Sequence, residues 1–191
     1  MRHLHFGKLF FVVFSLLLAY TVSARKPIKT LLITGQNNHN WQVSHVVLKQ
    51  ILENSGRFDV DFVISPEQGK DMSGFVLDFS PYQLVVLDYN GDSWPEETNR
   101  RFLEYVQNGG GVVIYHAADN AFSKWPEFNR ICALGGWEGR NENSGPYVYW
   151  KDGKLVKDSS AGPGGSHGRQ HEYVLNGRDK VHPVVKGLPL K

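Results

Sequence analysis

The chain has 191 residues, with 21 Lys and Arg against 19 Asp and Glu, a formal net charge of +2 and one cysteine. This near balance of charge argues against a nucleic-acid-binding protein, because such proteins need a concentrated positive field. A single cysteine excludes an internal disulfide and any zinc site of the Cys₄ or Cys₂His₂ type.

The first 24 residues have the pattern of a secretory signal peptide. The basic residues Arg2 and Lys8 come before an apolar run over residues 9–22, and the small residues Ser23 and Ala24 follow it. The run is shorter than the roughly 18 apolar residues that a membrane-spanning helix needs. The sequence therefore predicts an exported protein, periplasmic or extracellular, with no stable membrane span after cleavage. We expect residues 25–191 to form one domain.

Strand and helix patterns alternate along the chain. The patterns predict strands at 29–34, 58–64 and 84–87, a fourth strand after the glycine run within 109–119, and helices at 40–54, 94–108 and 125–134. This order is typical of an α/β protein with a doubly wound, mainly parallel sheet and helices on both faces. We expect Asn38 or Asn40 to cap the first helix, and Ser93 to cap the second, with Pro95 in its first turn. Asp152-Gly153 predicts a hairpin turn later in the chain.

Polar residues follow three of the predicted strands. Residues 35–41 (Gly-Gln-Asn-Asn-His-Asn-Trp) carry amides and an imidazole, which suit a hydroxyl-rich ligand, and they contain no phosphate-binding glycine motif. Because parallel strands place their carboxyl ends at one edge, these residues are expected to meet there. The predicted substrate-binding residues are Asn37, His39, Trp41, Tyr89, Asn90, Asp119 and Trp137.

Histidines provide the candidate chemistry. His116 ends the strand after the glycine run at 109–111, and His171 is followed by Glu172. We predict His116, His171 and Glu172 as catalytic residues, with Glu172 or Asp119 orienting an imidazole that acts as a general acid or base. His116, His167 and His171 are alternatively a ligand set for a divalent metal such as zinc.

Four of the five tryptophans fall into two predicted groups. Sugars pack their C–H faces on aromatic rings, so Trp41 and Trp137, which adjoin polar loops, are the predicted ligand contacts. Trp94 and Trp125 each stand next to a proline and are predicted to pack in the core.

Several motifs together resemble those of the ThuA-like family, which is related to the class I glutamine amidotransferase-like fold. They are residues 31–41, residues 109–119, Trp125-Pro126-Glu127-Phe128, residues 165–173 and residues 182–189. The resemblance implies a flavodoxin-like core and a role in carbohydrate metabolism, on a keto-glycoside or a related sugar.

Two departures from the related proteins modify this expectation. Amidotransferases have a nucleophilic cysteine at the sharp turn after the strand equivalent to 111–114, where this chain has Tyr115-His116-Ala117-Ala118, and Cys132 lies in a predicted amphipathic helix. Cysteine-dependent glutaminase chemistry is therefore disfavoured. Similar proteins also continue well beyond residue 191, so we expect the domain to be incomplete at its C-terminus.

Three functions follow as hypotheses. The preferred one is an exported enzyme that acts on a sugar or keto-sugar through histidine acid–base or metal-assisted chemistry, as a hydrolase, lyase or isomerase. The second is a carbohydrate-binding or accessory module without turnover. The third is a hydrolase of the amidotransferase type with an unrecognised nucleophile.

Overall fold

A four-stranded parallel sheet forms the centre of the protein. The computed structural model describes residues 26–133, 145–162, 168–174, 179 and 181–188. The strands are β1 (Ile28–Thr34), β2 (Phe58–Ile64), β3 (Leu84–Leu87) and β4 (Gly111–Ile114), in the order β2-β1-β3-β4. This order is that of flavodoxin-like sheets and confirms the predicted fold class.

Three α-helices and a 3₁₀ helix accompany the sheet: α1 (Trp41–Asn54), α2 (Glu96–Gln107), the 3₁₀ helix His116–Asn120 and α3 (Pro126–Cys132). Alternate residues of a strand point to opposite faces of the sheet, so the strands contribute side chains to two hydrophobic cores. On one face, Leu32 packs with Leu48 and Leu52 of α1. On the other face, Ile33 belongs to a larger core that contains Phe102 of α2 and Phe128 of α3.

One of the predicted residues, Asn40, occupies an N-cap position as expected, but the predicted side-chain caps do not form. Asn40 is the N-cap residue of α1 and Pro95 that of α2, and neither helix has a side-chain capping hydrogen bond. Ser93 therefore does not cap α2. The side-chain oxygen of Asn38 instead accepts a hydrogen bond from Asn90, 3.3 Å away, so this amide links two loops rather than closing a helix end.

A two-stranded antiparallel hairpin, β5 (Tyr147–Lys151) and β6 (Lys154–Asp158), confirms the predicted Asp-Gly turn. Asp152 and Gly153 both have positive φ, at 52° and 77°, as a type I′ turn requires. Helix α3 ends at Ala133, and the predicted continuation of this helix lies outside the described residues. Within the described ranges, no helix is both long and apolar enough to cross a bilayer.

Gly35 lets β1 end against the segment that follows β2. Its φ is +118°, and a Cβ atom there would lie 2.5 Å from the backbone nitrogen of Ser65. Only glycine combines this backbone conformation with so close an approach. Gly35 therefore sets the path of the loop that follows β1 at the carboxyl edge of the sheet.

Candidate functional site

The loops after β1 and β3 border a cleft at the carboxyl edge of the sheet. Strand β1 is flanked by β2 on one side and β3 on the other, so the connections leave in opposite directions at this point. Ligands of open α/β sheets bind at such a reversal. The cleft has a volume of about 740 Å³, and residues 37–38, 90–93 and 120–125 contribute to its walls.

Neutral hydrogen-bonding side chains dominate the walls of the cleft. Six of the lining residues carry a side-chain amide: Asn37, Asn38, Gln68, Asn90, Asn99 and Asn120. Each amide both donates and accepts hydrogen bonds. Within the described part of the chain, the side-chain oxygens of Asn99 and Asn120 are buried and accept no hydrogen bond. The walls therefore hold polar groups that are not all committed to the protein itself.

Trp125 supplies an aromatic surface in this cleft. It is half-buried, and its ring stacks on Phe128 with centroids 5.7 Å apart and an interplanar angle of 22°. Phe122 meets the same indole edge-to-face at 5.6 Å. The prediction that Trp125 packs only in the core was therefore incomplete, because one part of the ring reaches the cleft. Trp94 is buried in the core as predicted.

A buried carboxylate fixes the loop that follows β1. Asp88, the residue directly after β3, is 1% exposed. It accepts hydrogen bonds from the side-chain nitrogen of Asn37 at 3.1 Å and from the hydroxyl of Ser44 at 2.5 Å. Burial raises the pKa of Asp88, and these hydrogen bonds oppose that rise. Asp88 thus ties the end of β3 to the loop after β1 and to the first turn of α1.

His39 and His116 meet at the same edge of the sheet. Their ring centroids are 4.6 Å apart, with an interplanar angle of 47°. The backbone nitrogen of His39 donates to the side-chain oxygen of Asn37 at 3.0 Å, so the network around Asp88 also positions His39. Both histidines are exposed, and they stand beside the cleft rather than among its lining residues. The structure thus joins two of the three histidine-bearing segments predicted to converge.

His116 occupies a strained turn between β4 and the 3₁₀ helix. Its φ is 46°, in the left-handed region that non-glycine residues rarely adopt. Such conformations are costly and concentrate at functional sites. The turn presents an imidazole directly after β4. Cys132 lies in α3, where burial raises the pKa of its thiol to about 12 and disfavours the thiolate.

Asp119 lies close enough to His116 for their charges to interact. Burial raises the pKa of Asp119, while the nearby His116 lowers it. The carboxylate is half-buried in the 3₁₀ helix, three residues after the imidazole. Asp119 is thus available to orient His116 or to stabilise its protonated form.

The remaining predicted site residues are dispersed. Tyr89 is a correction: its ring is buried with Trp94 and Phe122, and its hydroxyl donates to the carbonyl of Asp92 at 2.6 Å, so it packs in the core instead of facing a ligand. Trp41 is half-buried beside His45, with ring centroids 5.8 Å apart, and is not among the residues lining the cleft.

The segment around His171 makes local contacts. A ring nitrogen of His171 lies 2.9 Å from the carbonyl of Arg169, and its ring lies near Tyr173; both His171 and Glu172 are exposed. The catalytic role of His171 and Glu172 stays a prediction. His167 and Trp137 lie outside the described residues. Among the residues that are described, no three His, Cys, Asp or Glu side chains are grouped closely enough to hold a metal ion.

Sequence reasoning missed Asp88 and the cleft face of Trp125. Asp88 stands at the end of a predicted strand, but its role depends on Asn37 and Ser44, which are distant in sequence. The sequence did contain one signal for this role of Asp88. It is a carboxylate directly after an apolar strand, in a chain whose first strand is followed by an amide-rich loop. For Trp125, no sequence signal distinguishes a fully buried ring from one that forms a wall.

The parallel sheet, its strand order and the accompanying helices define a flavodoxin-like α/β protein. Comparison with known families matches residues 29–191 to the ThuA family, which is described as trehalose utilisation. The chain belongs to this family, and the match supports a role in carbohydrate metabolism. No curated protein matches the chain.

Proposed function

We propose that the protein binds a neutral carbohydrate in the cleft and acts on it by acid–base chemistry at His116. The observation that carries this proposal is the gathering of six side-chain amides and the ring of Trp125 around one cleft at the carboxyl edge of the sheet. The family's connection with trehalose utilisation agrees with a sugar as the ligand.

The polarity of the cleft suits hydroxyl groups better than ionic groups. A sugar hydroxyl donates one hydrogen bond and accepts others, and an amide side chain matches both roles. The charged residues among the lining residues are Asp92 and Lys124. The Asp92 carboxylate already accepts a hydrogen bond from the backbone of Gly69 at 2.5 Å. An anionic ligand would need more positive charge than Lys124 alone provides.

Trp125 is the proposed stacking surface for one sugar ring. Its stacking on Phe128 holds the indole in place, so little conformational entropy is lost when a ligand binds. The flat ring offers apolar area to the C–H face of the sugar, while the amides on the facing walls bind its hydroxyls. This combination gives orientation as well as affinity.

His116 is the proposed proton-transfer group. Its imidazole is exposed at the edge of the sheet, and imidazole is the side chain that most often transfers protons in enzymes. In a keto-sugar, a base at this position would remove a proton next to the carbonyl. Asp119, three residues further on, is placed to balance the charge that His116 gains.

A binding module without turnover is the second candidate. It is favoured by the position of the histidine pair, since His39 and His116 stand beside the lining residues of the cleft instead of among them. A ligand confined to the cleft would then contact the amides and Trp125 without reaching an imidazole.

Replacement of His116 separates the two candidates. Wild type, His116→Ala and, as a matched control, His182→Ala would be incubated with trehalose and with a mono-keto derivative of trehalose. Turnover would be followed by NMR and binding by calorimetry. The proposal expects His116→Ala to lose at least about a hundredfold in turnover while its affinity changes little. Wild-type turnover in His116→Ala would contradict the assignment, and sugar binding without turnover in all three proteins would support the module.

We further propose that the protein is exported and that its mature form begins near Arg25. The support is the basic and apolar pattern of residues 1–24, followed by small residues. The intact mass of the protein recovered outside the cytoplasm of a producing cell would test this. A mass that includes residues 1–24 would contradict cleavage.

A further inference from the structure

Two imidazoles from separate loops are in contact, and the other described side chains near His116 (Tyr115 and Asp119) make no hydrogen bond to its ring. His39 belongs to the loop after β1 and His116 to the turn after β4, and their ring centroids are 4.6 Å apart. Within the described residues, the one hydrogen bond recorded for His39 outside the backbone pairs involves its backbone nitrogen, and none is recorded for the His116 ring. The ring nitrogens of both residues are therefore available to a ligand.

Both histidines are held in place by their surroundings. The position of His39 follows from a chain of hydrogen bonds, in which the Asn37 side chain donates to Asp88 at 3.1 Å and accepts from the His39 backbone at 3.0 Å. His116 is held at a φ of 46°, a left-handed conformation that is costly in a non-glycine residue. A pair of exposed imidazoles that is positioned at such a cost is better suited to binding than to packing.

We propose that His39 and His116 together bind one divalent transition-metal ion of the zinc type. Imidazole nitrogen is a preferred donor for zinc, copper and nickel. Two nitrogens bound to a tetrahedral ion at 2.0–2.1 Å are about 3.4 Å apart, and the 4.6 Å between the two ring centroids is compatible with this spacing.

Such an ion would keep open coordination positions. Among the described residues, no third His, Cys, Asp or Glu completes the group, so water or ligand oxygens would fill the rest. Sites of this kind bind weakly compared with closed structural sites and are typical of metals that contact a substrate. Here the open positions would lie at the edge of the cleft, where adjacent oxygens of a sugar or keto-sugar would bind. This last step rests on the proposed function; the metal site itself does not.

Direct metal titration tests the site without any sugar. The full-length chain, without an affinity tag and freed of metal by dialysis against a chelator, would be titrated with Zn²⁺ by calorimetry and with Co²⁺ by visible absorption. We expect one ion per chain. We expect His39→Ala and His116→Ala each to weaken binding at least tenfold, and His182→Ala, an exposed histidine far along the chain, to bind like wild type.

Two further variants make the test specific. Asn37→Ala should weaken metal binding by a smaller factor than His39→Ala, because it removes the support of His39 and leaves both ligands present. His171→Ala should have no effect. The proposal is overturned if wild type does not bind Zn²⁺ or Co²⁺, if His39→Ala and His116→Ala bind like wild type, or if His171→Ala weakens binding as much as they do. Because no sugar is present, these outcomes are independent of carbohydrate binding in the cleft.

Discussion

The side-chain nitrogen of Asn37 donates a hydrogen bond to the carboxylate of Asp88 at 3.1 Å, across the reversal point of the sheet. This contact joins the loop after β1 to the end of β3. Through the Asn37 side-chain oxygen it extends to the backbone of His39. One buried carboxylate thus influences the walls of the cleft and the position of the histidine pair.

Replacing Asp88 should therefore destabilise the protein. Asp88→Asn puts an amide nitrogen where a carboxylate oxygen now accepts from Asn37 or Ser44, and an unpaired buried polar group costs about 1–3 kcal/mol. Urea unfolding at pH 7 would measure the loss. Asp59→Asn, at an exposed strand position, is the control and should change the free energy of unfolding by no more than about 0.5 kcal/mol. Equal stability of wild type and Asp88→Asn would contradict the assigned network.

The same variant tests the direction of the Asp88 pKa shift. Burial raises this pKa above the ordinary value of 3.8, so the folded state holds the proton more tightly than the unfolded state. The contribution of Asp88 to stability is then fully present below pH 3.8 and falls as pH rises through the folded pKa. We expect the free energy of unfolding of wild type to exceed that of Asp88→Asn by less and less as pH rises from 3.8 through the folded pKa. A difference that grows with pH would mean that the folded pKa is lowered.

Gly35 should not tolerate a side chain. Alanine at this position combines a φ of +118° with a contact of 2.5 Å to the backbone of Ser65, so we expect Gly35→Ala to cost more than about 2 kcal/mol. At Gly74 a Cβ meets no atom within 4 Å, and Gly74→Ala is the matched control. Similar unfolding midpoints for the two variants would show that β1 does not end against Ser65 as described.

Much of the fold was predictable because local patterns agree with the tertiary structure. β2 and β3 have the predicted bounds, and the strand at 58–64 keeps Val60 buried while Asp59 is exposed. The caps failed for a physical reason. Asn38 bonds to Asn90 in the loop after β3, a tertiary contact that the local sequence does not reveal. The helix that Ser93 was expected to cap begins further along the chain, with Pro95 at its N-cap position.

The candidate site was predictable only in part. Polar loops after parallel strands had to meet at one edge, and this brought His39, Asn37 and His116 into one region. Sequence alone does not determine which side of an aromatic ring is covered. Tyr89 turned into the core and Trp125 reached the cleft, because the packing of Phe122 and Phe128 decides both orientations.

The strained backbone at His116 predicts an unusual order of variant stabilities. Glycine adopts a φ of 46° without steric cost, whereas alanine keeps the Cβ atom. We expect His116→Gly to be more stable than His116→Ala by about 1 kcal/mol, measured by denaturant unfolding. His171→Gly and His171→Ala provide a comparison at an exposed position for which no positive φ is found. If His116→Ala proves the more stable of its pair, the left-handed turn is absent in solution.

Cys132 should react slowly in the folded protein. Burial raises the pKa of its thiol to about 12, so very little thiolate exists near neutral pH. We expect a disulfide reagent at pH 8 to label native protein at least about a hundredfold more slowly than protein in denaturant. Labelling at comparable rates in native and denatured protein would indicate an accessible thiolate in the folded state. A cysteine-dependent mechanism would then again be a candidate.

Calorimetric titration with trehalose and its mono-keto derivative tests the carbohydrate cleft most directly. Wild type, Trp125→Ala and Trp41→Ala would be compared, since Trp125 lines the cleft and Trp41, also half-buried at the same edge, does not. The cleft assignment predicts that wild type binds at least one of the two sugars. Trp125→Ala should then lose about tenfold or more in affinity, equivalent to about 1.4 kcal/mol, while Trp41→Ala stays close to wild type. Equal affinity in all three proteins, or a loss confined to Trp41→Ala, would contradict it.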